Sequence, residues 1–153
     1  MTLLHDGPIF ADYFQFLLQD AALRERPAPP WDEATLADGV VAMPGLLAFA
    51  TARNMQVPVA AELLPAEPAL DLGGVDHAVE ASLESRGMLI LAGGTDYLPT
   101  AARLPVPAGP LRVRLLCRGL DRLSEDGLAG EDSYRLLLWP AALAGVAVLK
   151  RHG

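Results

Sequence analysis

The sequence predicts an all-β protein, a mainly antiparallel β-sandwich with at most one or two short helices, forming one domain over residues 1–153. Three observations carry that expectation. Thirteen prolines and fourteen glycines recur between short apolar runs, the punctuation of many strands rather than of a few long helices. Several of those runs alternate apolar and polar residues with a period of two. Apolar residues make up 52% of the chain and charged residues 20%, a balance that fills a core in a chain long enough to bury roughly 70% of its unfolded surface.

The elements follow in order. IFADYFQFLLQD reads as an aromatic strand in which Phe10, Phe14, Phe16 and Leu18 share one parity and Tyr13, Gln15 and Gln19 the other, as a half-buried strand requires. RERPAPPW is an extended, proline-stiffened loop leading to Trp31. DEATLADG holds the chain's best helix, with acids in its first turn and Gly39 beyond its end. Pro44 and Gly45 then mark a turn into the strand LLAFATARN, and VPVAAELL supplies another apolar run. The segment from Val75 to Ser85 fits both a helical stripe and a two-residue alternation; its strand neighbours favour a strand. RGMLILAGG, LRVRLLCRG, SYRLLLWPA and GVAVLK complete the series at the spacing of a sandwich or barrel.

LRVRLLCRG places Arg112, Arg114 and Arg118 on one face and Val113, Leu115 and Cys117 on the other, interrupted only by Leu116. The arginines are expected to meet water or neighbouring carboxylates across an outer sheet face. Pairs of that kind contribute only about 0.2–1 kcal/mol each.

The formal net charge of -7 argues against direct nucleic-acid binding, because phosphate recognition needs clustered cations that displace counterions. It suits a basic protein partner, and it also serves simple solubility. Cys117 is the only cysteine, which excludes an intramolecular disulfide and a cysteine-rich zinc site and suits a reducing, cytoplasmic setting. The start, MTLLHDGPIF, lacks the cationic and apolar regions of a signal peptide. The longest apolar run, Trp139 to Leu149, contains Pro140 and Gly145 and falls short of the ~20 residues that span a bilayer.

No catalytic constellation assembles from the sequence. Of the three histidines, His5 and His152 lie near the termini; Cys117 carries inward parity, and no serine sits in a GxSxG elbow. DRLSEDGLAGED fails the calcium-loop pattern, since Leu123 and Asp126 stand at the third and sixth positions from Asp121. A looser oxygen site at Glu125, Asp126, Glu131 and Asp132 stands beside the simpler reading of a solvated acidic hairpin loop. LAGGTDYLP, residues 91–99, resembles the flavin-binding signature of molybdenum-hydroxylase flavin subunits over about one turn. It lacks a second phosphate loop, and Gly93 and Gly94 are read as turn residues needing positive φ. No cofactor and no metal are expected.

DYFQFLLQD, PPWDEATLADG and GLLAFATARN together resemble the front half of the competence protein J family, inhibitors of DNA-entry nucleases. Tyr13, Gln15, Phe16, Trp31, Gly39, Phe49, Arg53 and Asn54 occupy corresponding places, and PLRVRLLCRG and SYRLLLWPA resemble that family's closing strands more loosely. The resemblance implies a small β-sandwich that binds and blocks a nuclease without catalysis of its own. An acidic surface suits that task, with Glu125, Asp126, Glu131 and Asp132 as the leading contact candidates and Asp32, Glu33 and Asp38 second. Two rival readings are a small-molecule site lined by Tyr13, Trp31, Tyr97 or Trp139, and a homo-oligomer, such as a homodimer, paired through the AGVAVLK edge.

Overall fold

The computed structural model describes residues 1–152. Eleven strands form two sheets. The first sheet contains β1 (Thr2–Phe10), β5 (Gln56–Leu63), β10 (Ser133–Pro140), β9 (Gly109–Arg118), β6 (His77–Ser85) and β11 (Ala147–Lys150), in that spatial order. The second contains β3 (Val40–Met43), β4 (Leu46–Ala50), β2 (Gln15–Asp20), β7 (Met88–Gly93) and β8 (Ala102–Pro105). All neighbouring pairs are antiparallel except β5 with β10, which run parallel. The predicted all-β sandwich is therefore the observed fold.

The one α-helix, α1 (Glu33–Asp38), lies where the sequence predicts it. Asp32 and Thr35 form a capping box at its start, and Gly39 ends it in the left-handed region at φ 83°. No helix among the described residues is long and apolar enough to cross a membrane.

The core fills the space between the sheets with Phe16, Leu18, Leu47 and Phe49 from one layer and Val79, Val113, Leu115 and Tyr134 from the other. Phe16 packs against Phe49 at 5.4 Å and against the edge of Tyr134 at 5.9 Å. The segment His77–Ser85 is a strand that is buried on both faces, which is why its apolar positions satisfied two periods at once.

Both sheets also carry a covered outer face. Over β9 the crossing segments 64–75 and 141–146 cover it, so the expected wet face is dry: Arg112 is 8% exposed and Arg114 4%. The carboxylate expectation holds in a buried form. Glu80 lies opposite Arg114 in the register, and its two oxygens accept from Arg114 Nε at 2.7 Å and Arg112 Nε at 3.1 Å. Arg112 also donates to Ser82 Oγ and the Ala144 carbonyl, and the Arg114 guanidinium stacks over Trp139 at 5.0 Å. Arg118 alone remains half-buried at the strand's end.

The run IFADYFQFLLQD departs from a continuous strand. It divides into β1 and β2 around a turn at Asp12–Phe14, where Tyr13 and Phe14 adopt φ of 59° and 61°. Gly93 also departs from expectation. Neither it nor Gly94 has a positive φ; instead a Cβ at Gly93 would stand 1.9 Å from the Phe10 carbonyl oxygen, so close chain approach demands the glycine.

Glu80→Gln is expected to cost about 3–5 kcal/mol, because it strips two buried guanidinium groups of their shared counter-charge. Glu84→Gln, at the exposed position of the same strand, should stay within about 0.5 kcal/mol. Urea unfolding of both variants measures the difference, and equal losses would refute the central role of Glu80.

Candidate functional site

One end of the sandwich gathers the segments that carry the acidic and aromatic residues. The register sets Gln15 opposite Ala50, Phe16 opposite Gly93, and Val40 opposite Phe49 in one sheet. In the other, Cys117 stands opposite both His77 and Tyr134. The turn at 12–14, the helix α1, the connection 51–55 and the loop 119–132 therefore share this end. Two contacts across the layers tie it together. Tyr134 Oη accepts from the Ala52 N–H at 2.7 Å, and His77 Nε2 donates to the Asp38 carbonyl at 2.6 Å.

His77 is held in one tautomer by its partners. With Nε2 donating, Nδ1 accepts the His152 N–H at 3.1 Å. A Cβ at Gly39 would lie 2.9 Å from His77 Nε2, so the glycine that caps α1 also admits this imidazole. Beside it opens a cleft of about 400 Å³. Its walls are mostly apolar, with Leu36 and Ala37 from α1, Leu115 and Cys117 from β9, and Leu120 and Leu123 from the following loop. His77, His152 and Thr51 supply polar groups.

No acid among the described residues lines this cleft; the acids lie elsewhere on the two segments that border it. Asp32 and Glu33 are exposed on α1, and Glu125, Asp126 and Glu131 are exposed on the loop. Hydrogen bonds from the Thr35 N–H and then its hydroxyl hold the Asp32 carboxyl below its ordinary range. The Ser124 hydroxyl and then the Leu128 N–H do the same for Asp126. Both carboxyls therefore favour the anion more than a free carboxyl does. Glu131 lies 3.7 Å from Arg122, itself exposed.

Asp132 departs from its predicted role. It is 1% exposed and points inward, where Oδ1 takes Arg53 Nε at 2.6 Å and Oδ2 takes the Tyr134 hydroxyl at 2.8 Å. Of the predicted acids of this loop, Glu125, Asp126 and Glu131 are accordingly the exposed ones. The looser calcium set loses a member for the same reason, and among the described residues no group of three His, Cys, Asp or Glu side chains could hold a metal ion.

Tyr13, Trp31, Tyr97 and Trp139, any of which is a candidate for lining a ligand cavity, do not meet at this cleft; Tyr97 lines a separate surface pocket with His5 and Asp96. Trp139 packs in the covered outer face of the first sheet, and Trp31 donates to Gln15 Oε1 beside the second. None of the four lines the cleft. Tyr13 is 76% exposed and Phe14 53%. Their turn is pinned by the Tyr13 N–H donating to Asn54 Oδ1 at 2.8 Å and by the Thr51 N–H donating to the Phe14 carbonyl at 2.9 Å. Sequence parity assigned Phe14 to the interior; the signal it missed is Asn54, whose amide caps a turn forty-one residues away.

Cys117 offers no nucleophile. Burial raises its thiol pKa, with Asp76 and Asp132 adding to the rise, so it stays protonated.

No protein-family model and no curated protein sequence matches the chain. Two solved structures share its fold. One is ComJ from Bacillus subtilis, an inhibitor of the DNA-degrading activity of NucA, with a TM-score of 0.69 and 15% identity over 92% of this chain and 98% of that one. The other is the product of crocagin biosynthetic gene J, with a TM-score of 0.57 and 17% identity over 93% and 100%. The likeness to the competence protein J inhibitor thus extends over nearly the whole architecture. At these identities it is a likeness of fold.

The buried phenol gives this end a pH signature. Burial pushes the Tyr134 hydroxyl far above its ordinary value of 10.0, the Ala52 N–H opposes the rise and Asp132 adds to it. Because the folded chain favours the neutral phenol, its stabilising contribution is full below pH 10 and declines as pH rises beyond it. Cys117, raised from 9.0, acts in the same direction from about one unit lower. Denaturation midpoints should therefore hold through pH 8 and fall steeply above pH 10. Tyr134→Phe should cost about 1–3 kcal/mol at pH 7 by leaving Asp132 and the Ala52 N–H short of a partner, and should flatten the alkaline fall. A variant as alkali-sensitive as the natural chain would contradict this assignment.

Proposed function

We propose that this protein is a non-catalytic, protein-binding module of the nuclease-inhibitor or immunity type, acting in the cytoplasm by setting its acidic end against a basic partner, a nuclease. The observation that carries the reading is convergence. Two acidic segments some ninety positions apart in the sequence, α1 and the loop 119–132, border one cleft at one end of the sandwich. The exposed Tyr13–Phe14 turn belongs to the same end. The fold shared with ComJ, an inhibitor of a DNA-degrading activity, supports the choice of partner class.

The physical logic is complementarity. A nuclease presents a cationic cleft to its phosphate substrate, and fixed carboxylates can occupy that cleft in place of phosphate. Glu125, Asp126, Glu131, Asp32 and Glu33 are the contact residues of this reading. Asp132 serves it from inside, by orienting the loop. A second copy of the chain is the other partner with a specific observation behind it, since β11 pairs only with β6 and leaves its outer edge open at the sheet's margin.

Capture from native extract at low salt should recover a basic protein that degrades DNA and loses that activity when the chain is added in equimolar amount. Recovery of no such nuclease would end the inhibitor reading, and a sedimentation mass of two chains would favour the homodimer. Reversing Glu125 and Asp126 to Lys should slow association about tenfold or more while lowering thermal unfolding only slightly, because both side chains are exposed and Asp126 gives up only its surface hydrogen bonds from Ser124 and the Leu128 N–H. Unaltered association kinetics would remove the loop from the interface.

A further inference from the structure

The acidic end is already in contact with a basic segment, and that segment belongs to the chain itself. Lys150, the only lysine, is followed by Arg151 and His152, three consecutive basic residues in a chain of formal net charge -7. All three are seated. Lys150 Nζ donates to the Val75 carbonyl. Arg151 pairs with Asp38 at the end of α1 at 3.0 Å, and His152 Nε2 meets Asp121 in the loop after β9 at 3.1 Å. The His152 N–H donates to His77 Nδ1, and the His152 ring forms part of the cleft wall. The tail thus bridges the two acidic segments.

These contacts differ in kind from the buried ion pairs. The Arg151 side chain is 50% exposed and the Asp121 side chain 83%. Such pairs are screened by salt and exchange readily with competing cations. The apolar cleft beside them suits the methylene stems of long basic side chains, whose charged heads would reach the rim.

We infer that Arg151–His152, directly after β11, is a built-in competitor: it occupies, in cis, the seat that a basic segment of the partner protein takes in trans. This rests on the proposed basic partner and adds to it the chemistry of the contact, a short run of Lys, Arg or His entering between Asp38 and Asp121. Displacing the tail would uncover both carboxylates together. Salt would then weaken the partner and the competitor alike.

The test uses the full chain and a synthetic peptide of sequence LKRHG, acetylated and amidated, titrated at low salt with backbone NMR as the readout. Arg151→Ser combined with His152→Ser frees the seat without touching β11. The peptide should bind this double variant at least tenfold more tightly than the natural chain, with shifts confined to residues 36–39, 77 and 120–123. Adding Asp38→Asn and Asp121→Asn should abolish that binding. Equal affinity for the natural chain and the double variant, binding to neither, or shifts on another surface would overturn the inference. Nuclease inhibition, assayed separately, keeps the two readings apart. Peptide behaviour as expected without inhibition would sink the inhibitor reading alone, and inhibition with equal peptide affinities would sink the competitor alone.

Discussion

The acidic end of this sandwich depends on one buried network, in which the Asp132 carboxylate joins Arg53 and the Tyr134 hydroxyl. Arg53 follows a strand of one sheet and Tyr134 begins a strand of the other, so a single carboxylate links the layers where the two sheets would otherwise splay. Each polar group is matched. The phenol accepts the Ala52 N–H, and Arg53 reaches on to the Leu128 carbonyl at 3.2 Å. A buried ion pair gives little net stability unless its remaining hydrogen bonds are made, and removing one partner strands the other. The acidic loop is therefore hung from an internal anchor. With Asp132 drawn inward, Glu125 and Asp126 stand outward.

A second network on the far side of the first sheet follows the same rule, again around one buried carboxylate. Glu80 serves two guanidinium groups whose other donors go to Ser82 and to carbonyls of the covering segments. The planar fork of arginine suits this role better than an ammonium would, since it can bond a carboxylate edge and a chain carbonyl while stacking on Trp139. That explains why an acidic chain concentrates three arginines in LRVRLLCRG: two of them fasten the crossing segments to the sheet. The lone lysine stands at the end of β11, where its ammonium meets the Val75 carbonyl.

Much of the fold was legible because turn residues and two-residue alternation are local signals. DEATLADG carried both its caps in the sequence, and LRVRLLCRG divided its faces correctly. Local periodicity cannot say whether a face is covered, so Arg112 and Arg114 read as solvent-facing until the segments 64–75 and 141–146 are laid over them. Strands β1, β3 and β8 left weak traces, the first because Asp6, Gly7 and Pro8 interrupt its alternation and the others because each spans only four residues. The site was legible in parts. Both acidic segments stood out by composition, but their meeting at one cleft is a product of sheet register. Asp132 could be told from Glu131 only through its distant partner Arg53.

The turn at Tyr13 and Phe14 would give the proposed acidic interface a second kind of recognition. Left-handed backbone at a residue bearing a Cβ costs roughly 1–2 kcal/mol, and here two neighbours adopt it, both aromatic and both largely exposed. Exposed aromatic area is also unfavourable in water. Asn54 and Thr51 hold the strained turn in place, so its side chains stay projected rather than folding onto the core. Long-range charge governs how quickly a basic partner arrives, whereas desolvated aromatic contact governs how slowly it leaves. A nuclease inhibitor of the proposed kind would need both. Carboxylates and a rigid aromatic projection on the same end meet that need, and neither alone accounts for the strain kept at this turn.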